Sequence, residues 1–197
     1  MMRLGFLFPG QASQKVGMGS ALYEHSSFAR ETFSRADEIL GYKISSLCFD
    51  GPAEGLQLTE NTQPALLIVS YIAFHLLGRD PYLAAGHSLG EYSALVAAGA
   101  LRFEDAVTTV HRRGQYMQQA VPPGEGAMAA ILGMELDAVE KGLRQVGSGV
   151  VEIANWNSRD QIVIAGDREA VEEAVRVLAA PRAVPLPVSA PFHCALM

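Results

Sequence analysis

Three kinds of residue in this chain could do chemistry together. Ser88 stands in the run AAGHSLGEYSA (84–94), between Gly86 and Gly90. That Gly-x-Ser-x-Gly spacing marks a nucleophile elbow when a strand precedes it and a helix follows, because the sharp turn lifts the serine hydroxyl clear of a sheet. The string alone says little: with 19 glycines in 197 residues, composition would supply roughly 0.1 such matches by chance. A serine nucleophile also needs a base, usually histidine, and five histidines compete. His25 sits among polar residues and reads as surface, while His75 lies in an apolar run and reads as a core or boundary residue. His87 adjoins Ser88, but neighbours on a sharp turn point apart, which suits it to lining a pocket. His111 falls off the apolar stripe of its helix. His193, in SAPFHCALM, is far away in sequence, as triad partners on α/β folds often are. The third kind is arginine. Val110, Arg113 and Met117 follow i, i+3, i+7 spacing, so Arg113 lies in line with an apolar stripe while Arg112 is rotated toward water. A buried arginine needs an anionic partner. Either a structural carboxylate supplies it, or the planar fork is aimed at a substrate carboxylate.

These residues need elements to position them. Leu4–Phe8 reads as a first strand running into the Gly-rich loop PGQASQKVGMG, whose single Lys15 and non-Walker spacing speak against a phosphate cradle. Residues 21–40 carry helical periodicity and stop at Gly41; DGPAEG (50–55) is turn chemistry; NTQPALLIVSYIAFHLL (61–77) reads as a buried helix with Pro64 in its first turn. PYLAAG is a short strand and EYSALVAAGAL a helix, which is the setting that an elbow at Ser88 requires. A helix covers 104–119. From Gly126 the rhythm changes to GAMAAILG (strand), LDAVEKGLRQV (helix), VVEIAN and QIVIAG (strands joined by WNSRD), DREAVEEAVRVLAA (helix with Asp167 as N-cap) and RAVPLPV (strand). That β-α-β-β-α-β order is ferredoxin-like. The expected fold is α/β: an α/β-hydrolase-like core with a parallel sheet over 1–124, a ferredoxin-like subdomain over 125–188, and a return to the core over 189–197.

Composition narrows the function classes. A net charge of −6 and 18% charged residues argue against nucleic acid as the main partner, since phosphate binding needs clustered Lys and Arg. Cys48 and Cys194 form no disulfide or metal pattern, in keeping with a reducing cytoplasm. MMRLGFLFPG is too short an apolar run for a signal-peptide core, and the longest apolar pattern, 64–77, is broken by Ser70 and His75, so no membrane span is expected.

FPGQASQKVGMG, NTQPALL, AGHSLGEYSALVAAGAL, RGQYMQ, GAMAAI, QIVIAG and LPVSAPFHCALM, in that order, cover nearly the whole chain. Together they resemble the malonyl-CoA:acyl-carrier-protein transacylase family of type II fatty acid synthesis. The resemblance implies that Ser88 is the acylated nucleophile and His193 its general base and acid. It places the oxyanion hole at the backbone N–H groups of Gln11 and Leu89, the malonyl carboxylate on Arg113, and His87 and Met117 along the acyl pocket. Phe192 before His193 and Leu89 after Ser88 look like the malonyl rather than the methylmalonyl pattern of related polyketide acyltransferases. The implied partners are malonyl-CoA as substrate and acyl carrier protein; because carrier proteins are acidic and this chain is too, docking needs a local basic patch, for which Lys15, Arg112 and the subdomain are the candidates, and no metal or redox cofactor is implied.

The chain departs from the family pattern in two ways. Family members continue past the position of Met197 with another helix, a further core strand and a closing segment that carries the residue orienting the histidine, so a C-terminally incomplete chain is expected. The links at LLGRDPY and LAAPRAV are also shorter than usual. Two rival readings remain at this point: a serine thioesterase or hydrolase with the same elbow, and an inactive truncated fragment.

Overall fold

The structure is a computed structural model and describes residues 3–122, 124–186, 188 and 190–197. It divides into two compact units, Met1–Gln115 and Tyr116–Met197.

In the first unit, β1 (Gly5–Phe8) is followed by α1 (Ser20–His25), α2 (Ser27–Leu40), α3 (Ile44–Asp50), α4 (Ala53–Gln57), α5 (Thr59–Leu77), β2 (Leu83–Gly86), α6 (Leu89–Ala97) and α7 (Phe103–Ala120), whose last residues belong to the second unit. β1 and β2 pair in parallel, Gly5 opposite Leu83 and Phe8 opposite Gly86. The core lies among helices: Phe33, Ile44, Leu56, Leu67, Ile68, Ile72, Leu89 and Val107 are fully buried. α5 is buried nearly all round over its first ten residues, from Thr59 to Ile68, with Thr59, Thr62 and Gln63 as buried polar residues in its first two turns.

Three local readings change. The single helix expected over 21–40 is two, because Ser26 turns extended (φ −138°, ψ 125°) and caps α2, its side chain accepting from the Ala29 N–H. The turn expected at 50–55 contracts to Gly51–Pro52, and α4 begins at Ala53 so that Leu56 can bury. α5 starts at Thr59, which moves Pro64 from the first turn to the second. A proline there leaves the carbonyl four residues back without its helical donor. That carbonyl, Glu60 O, is taken by His111 Nδ1 on α7 (3.0 Å).

The second unit runs β3 (Gly126–Leu132), α8 (Leu136–Leu143), β4 (Val151–Ser158), β5 (Gln161–Asp167), α9 (Arg168–Leu178) and β6 (Arg182–Pro185). The sheet order is β4-β5-β3-β6, antiparallel throughout, the ferredoxin-like arrangement that the sequence order predicts. Both faces are covered, so β3 and β5 are apolar at nearly every position. Ala129, Ile131, Ile162 and Ile164 face α8 and α9; Met128, Ala130, Val163 and Ala165 pack with Ala190, Phe192 and Cys194. β4 runs through Trp156 to Ser158 with two register shifts, so most of the expected WNSRD link is strand. Asp167 sits at the N-cap of α9 but does not cap it; its carboxylate accepts from the Val150 N–H (2.6 Å). Of the strand expected over 182–188, residues 182–185 are strand, and position 187 lies outside the described residues. The α/β expectation holds, with parallel pairing in one unit and antiparallel in the other.

Candidate active site

Ser88 occupies the turn between β2 and α6 with φ 52° and ψ −104°, a conformation that costs a non-glycine residue about 1–3 kcal/mol. Its two glycines explain how the turn closes. A Cβ on Gly86 would lie 1.9 Å from the carbonyl carbon of Gly90, and one on Gly90 would lie 2.2 Å from Phe8 O. Strand, elbow and helix are therefore in backbone contact, and no side chain fits between them. The same economy extends to the FPGQ loop: a Cβ on Gly10 would meet His87 O at 2.7 Å, and the His87 N–H donates to Phe8 O (3.1 Å). The segment carrying Gln11 is thus seated against the residue preceding the serine.

Leu89 is the first residue of α6, where a helix has no internal acceptor for its N–H. The next two N–H groups, of Gly90 and Glu91, are used on His87 O and Ser88 O. The side chain of Gln11 reaches the N-terminus of α5, its Nε2 donating to Thr59 Oγ1 (3.3 Å). Leu89 is buried, Ser88 half-buried and His87 exposed.

Arg113 comes to the same place from α7. Its Nη1 donates to Gln63 Oε1 (2.6 Å), its Nη2 donates to Ser88 Oγ (3.0 Å), and the guanidinium lies 5.7 Å from the centre of the Tyr92 ring. α7 approaches this closely because the next residue is glycine: a Cβ on Gly114 would lie 2.5 Å from Glu60 Cα. Among the described residues no carboxylate lies within ion-pair distance of Arg113. Burial pulls its pKa down from the ordinary arginine value, partly offset by the fields of Tyr92 and Glu91. Helical spacing locates the arginine but not its neutral neighbour. Gln63, fully buried, stands in the motif NTQPALL beside the polar Asn61 and Thr62, and nothing in its type or spacing sets it apart.

In the second unit, His193 is exposed and has φ 61°. Its display follows from its neighbours. Phe192 and Cys194 are both buried in the cluster under the sheet, Cys194 Sγ donates to Pro191 O (3.1 Å), and the Ala195 N–H donates to Glu152 Oε2 (2.8 Å). Gly126 makes room for this segment, since a Cβ there would lie 2.3 Å from Pro191 Cδ. With both flanking side chains turned inward, the histidine faces out. Met117 packs at the edge of the same cluster. The structure thus brings Ser88, Leu89, His87, Gln11 and Arg113 together in the first unit, and Met117, Phe192 and His193 belong to the second.

Residues 5–191 match the family described as acyl transferase domain. The chain belongs to that family. Two curated relatives of this acyl transferase domain are the malonyl CoA-acyl carrier protein transacylases of Bacillus subtilis (strain 168), 53% identical, and Escherichia coli (strain K12), 48% identical. All of the chain aligns to each, and it spans 65% and 66% of their lengths. Among solved structures, an acyl carrier protein S-malonyltransferase from Vibrio cholerae superposes with a TM-score of 0.92 at 48% identity, over 99% of this chain and 66% of that one. A malonyl-transacylase solved in complex with a type II PKS acyl-carrier protein superposes with a TM-score of 0.95 at 43% identity, over all of this chain and 66% of that one. The described acyl transferase residues hold no cluster of three His, Cys, Asp or Glu side chains fit for a metal ion, and no helix long and apolar enough to cross a membrane.

Proposed function

We propose that this chain carries the transfer site of a malonyl-CoA:acyl-carrier-protein S-malonyltransferase of fatty acid biosynthesis, acting in the cytoplasm. The observation that carries the reading is Arg113: a half-buried cation without a carboxylate partner among the described residues, hydrogen-bonded to the hydroxyl that would take the acyl group. An acyl chain esterified to Ser88 and ending in a carboxylate would meet that guanidinium with its far end. Acetyl, which lacks the second carboxylate, would leave the cation unpaired, and the difference favours malonyl.

The reaction proceeds by two acyl transfers. His193 takes the Ser88 Oγ proton as the oxygen attacks the malonyl thioester carbonyl; the C–S bond breaks, and the coenzyme A thiol leaves with that proton. The phosphopantetheine thiol of acyl carrier protein then gives a proton to His193, its sulfur attacks the seryl ester, and Ser88 recovers its hydrogen. The Leu89 and Gln11 N–H groups hold the oxyanion in both halves, each donor contributing about 3 kcal/mol to the transition state. His87, Met117 and Phe192 shape the acyl pocket. No atom changes oxidation state in either transfer, and the chemistry calls for no metal or redox cofactor.

Intact mass after incubation with malonyl-CoA tests this reading. A malonyl adduct on wild type and none on Ser88→Ala is the expected result, with the adduct discharged by added acyl carrier protein. Rapid discharge to water without carrier would assign a thioesterase instead, and no adduct on the folded protein would remove the transfer reading.

A further inference from the structure

A buried arginine is normally met by a carboxylate. At Arg113 the facing residue has the shape of one without the charge. Gln63 is fully buried, and its Oε1 accepts from Nη1 at 2.6 Å, the shortest bond to this guanidinium. Glutamate would differ from it by one atom type and would complete an ordinary structural ion pair. The spacing of Gln63 and Arg113 is also held firmly from both sides. His111 Nδ1 donates to the Glu60 carbonyl that Pro64 leaves without a helical donor, with Gln115 Nε2 against its other ring nitrogen (3.2 Å), and Gly114 lets the backbones of α7 and α5 touch. Three α7 residues, 111, 113 and 114, are thereby registered on the first two turns of α5. Two of the five guanidinium N–H donors are used on Gln63 and Ser88, one from each terminal nitrogen, so each terminal nitrogen keeps one N–H. A carboxylate can accept from N–H groups of a guanidinium beyond those used within the protein.

We propose that Gln63 is a specificity-determining positioning residue for acyl transfer: it orients Arg113 through a neutral acceptor, so that the positive charge stays available for the substrate carboxylate. The proposal rests on the reading of Arg113 as the group that meets that carboxylate.

The experiment compares wild type, Gln63→Glu, Gln63→Met and Arg113→Ala in steady-state transfer from malonyl-CoA and from acetyl-CoA, with thermal unfolding to establish that each is folded. Gln63→Glu supplies the missing charge and should lower the malonyl-over-acetyl preference in kcat/KM by about 30-fold or more, mainly through KM for malonyl-CoA. Gln63→Met keeps the volume and removes the acceptor, and should lower the preference by a smaller factor, about 5–10-fold. A Gln63→Glu enzyme within about twofold of the wild-type preference overturns the proposal if Arg113→Ala has lost that preference. An Arg113→Ala enzyme that keeps the wild-type preference overturns the clamp reading and the proposal with it. If neither Gln63 variant folds, arginine side-chain NMR of the wild-type protein decides: separate, slowly rotating Nη signals for Arg113 are expected, and a single averaged signal overturns the proposal.

Discussion

The serine elbow and the antiparallel sheet of the second unit use opposite kinds of contact. At the elbow, backbone lies against backbone: Gly86 against Gly90, and Gly90 against Phe8, with less than van der Waals room for a methyl group, beneath a residue at φ 52°. In the sheet, side chains do the packing. Alternate residues of β3 and β5 fill two apolar clusters, one beneath α8 and α9 and one beneath the His193 segment. The second unit has close glycines as well: Gly166 lies against Val150 O between strands, and Gly126 makes room for the His193 segment, where the close contact is with the Pro191 side chain. The difference shows where this protein keeps its costly geometry. A side-chain core tolerates volume-conserving exchange; backbone held against backbone tolerates none, and that rigidity keeps Ser88 in a conformation it would otherwise leave.

The sharpest break between the two regions is at Ser88 itself. Ser88→Ala should cut transfer about 10⁴-fold or more and leave the melting temperature near that of wild type. Ser88→Gly should be equally inactive yet more stable by about 1 kcal/mol, because glycine accepts the positive φ; a glycine variant with no gain by urea denaturation would remove strain from the account. Next in size, Gly90→Ala should cost about 3 kcal/mol or more. Gly147→Ala in the second unit, where the nearest group to an added Cβ is Glu173 Oε1 at 3.8 Å, should stay within about 0.5 kcal/mol. Similar losses at both sites would erase the contrast.

The two cysteines sharpen it further. Both are free and buried, one in each unit. Burial first, and then Asp37, push the Cys48 thiol from its ordinary 9.0 up to about 12. Above pH 9 the unfolded chain loses a proton that the native state keeps. The stabilisation from this thiol is therefore full below pH 9 and declines as pH rises toward 12, with a slope of up to about 1.4 kcal/mol per pH unit. Wild type should lose stability faster than Cys48→Ala across that window in urea melts at fixed pH; parallel curves would refute the assignment. A modest loss is expected at Ser26→Ala, which removes the α2 cap and should cost about 1 kcal/mol by thermal unfolding.

The second unit was legible because its signal is periodic. Apolar runs bounded by turn residues and two amphipathic helices identified every element; the ends of β4 and β6 shifted, and Asp167 misled, since an N-cap residue type there serves the Val150 N–H instead. The first unit was legible at the elbow and less so around it. Periodicity continued through Ser26 although the chain does not, because extended backbone at one residue leaves the apolar spacing on either side intact. The start of α5 was missed by two residues because Thr59 and Glu60 carry no apolar stripe, and that shift gave Pro64 its effect on Glu60 and His111.

While the family was marked by the resemblance of seven collinear segments, residue types and spacing alone determined the elbow motif, the arginine on a buried stripe and the α/β class. These are local quantities, written in neighbouring residues and in periods of two and 3.6. Only the tertiary structure decided what Arg113 faces. Gln63 lies fifty positions before it and Ser88 twenty-five, and no local pattern records that two glycines, a displaced proline and a histidine bring these side chains within hydrogen-bond reach. Whether the arginine's charge is neutralised by a partner or left available is settled by contact across helices, because a Coulombic partner must lie within a few ångströms in space, whatever its distance along the chain.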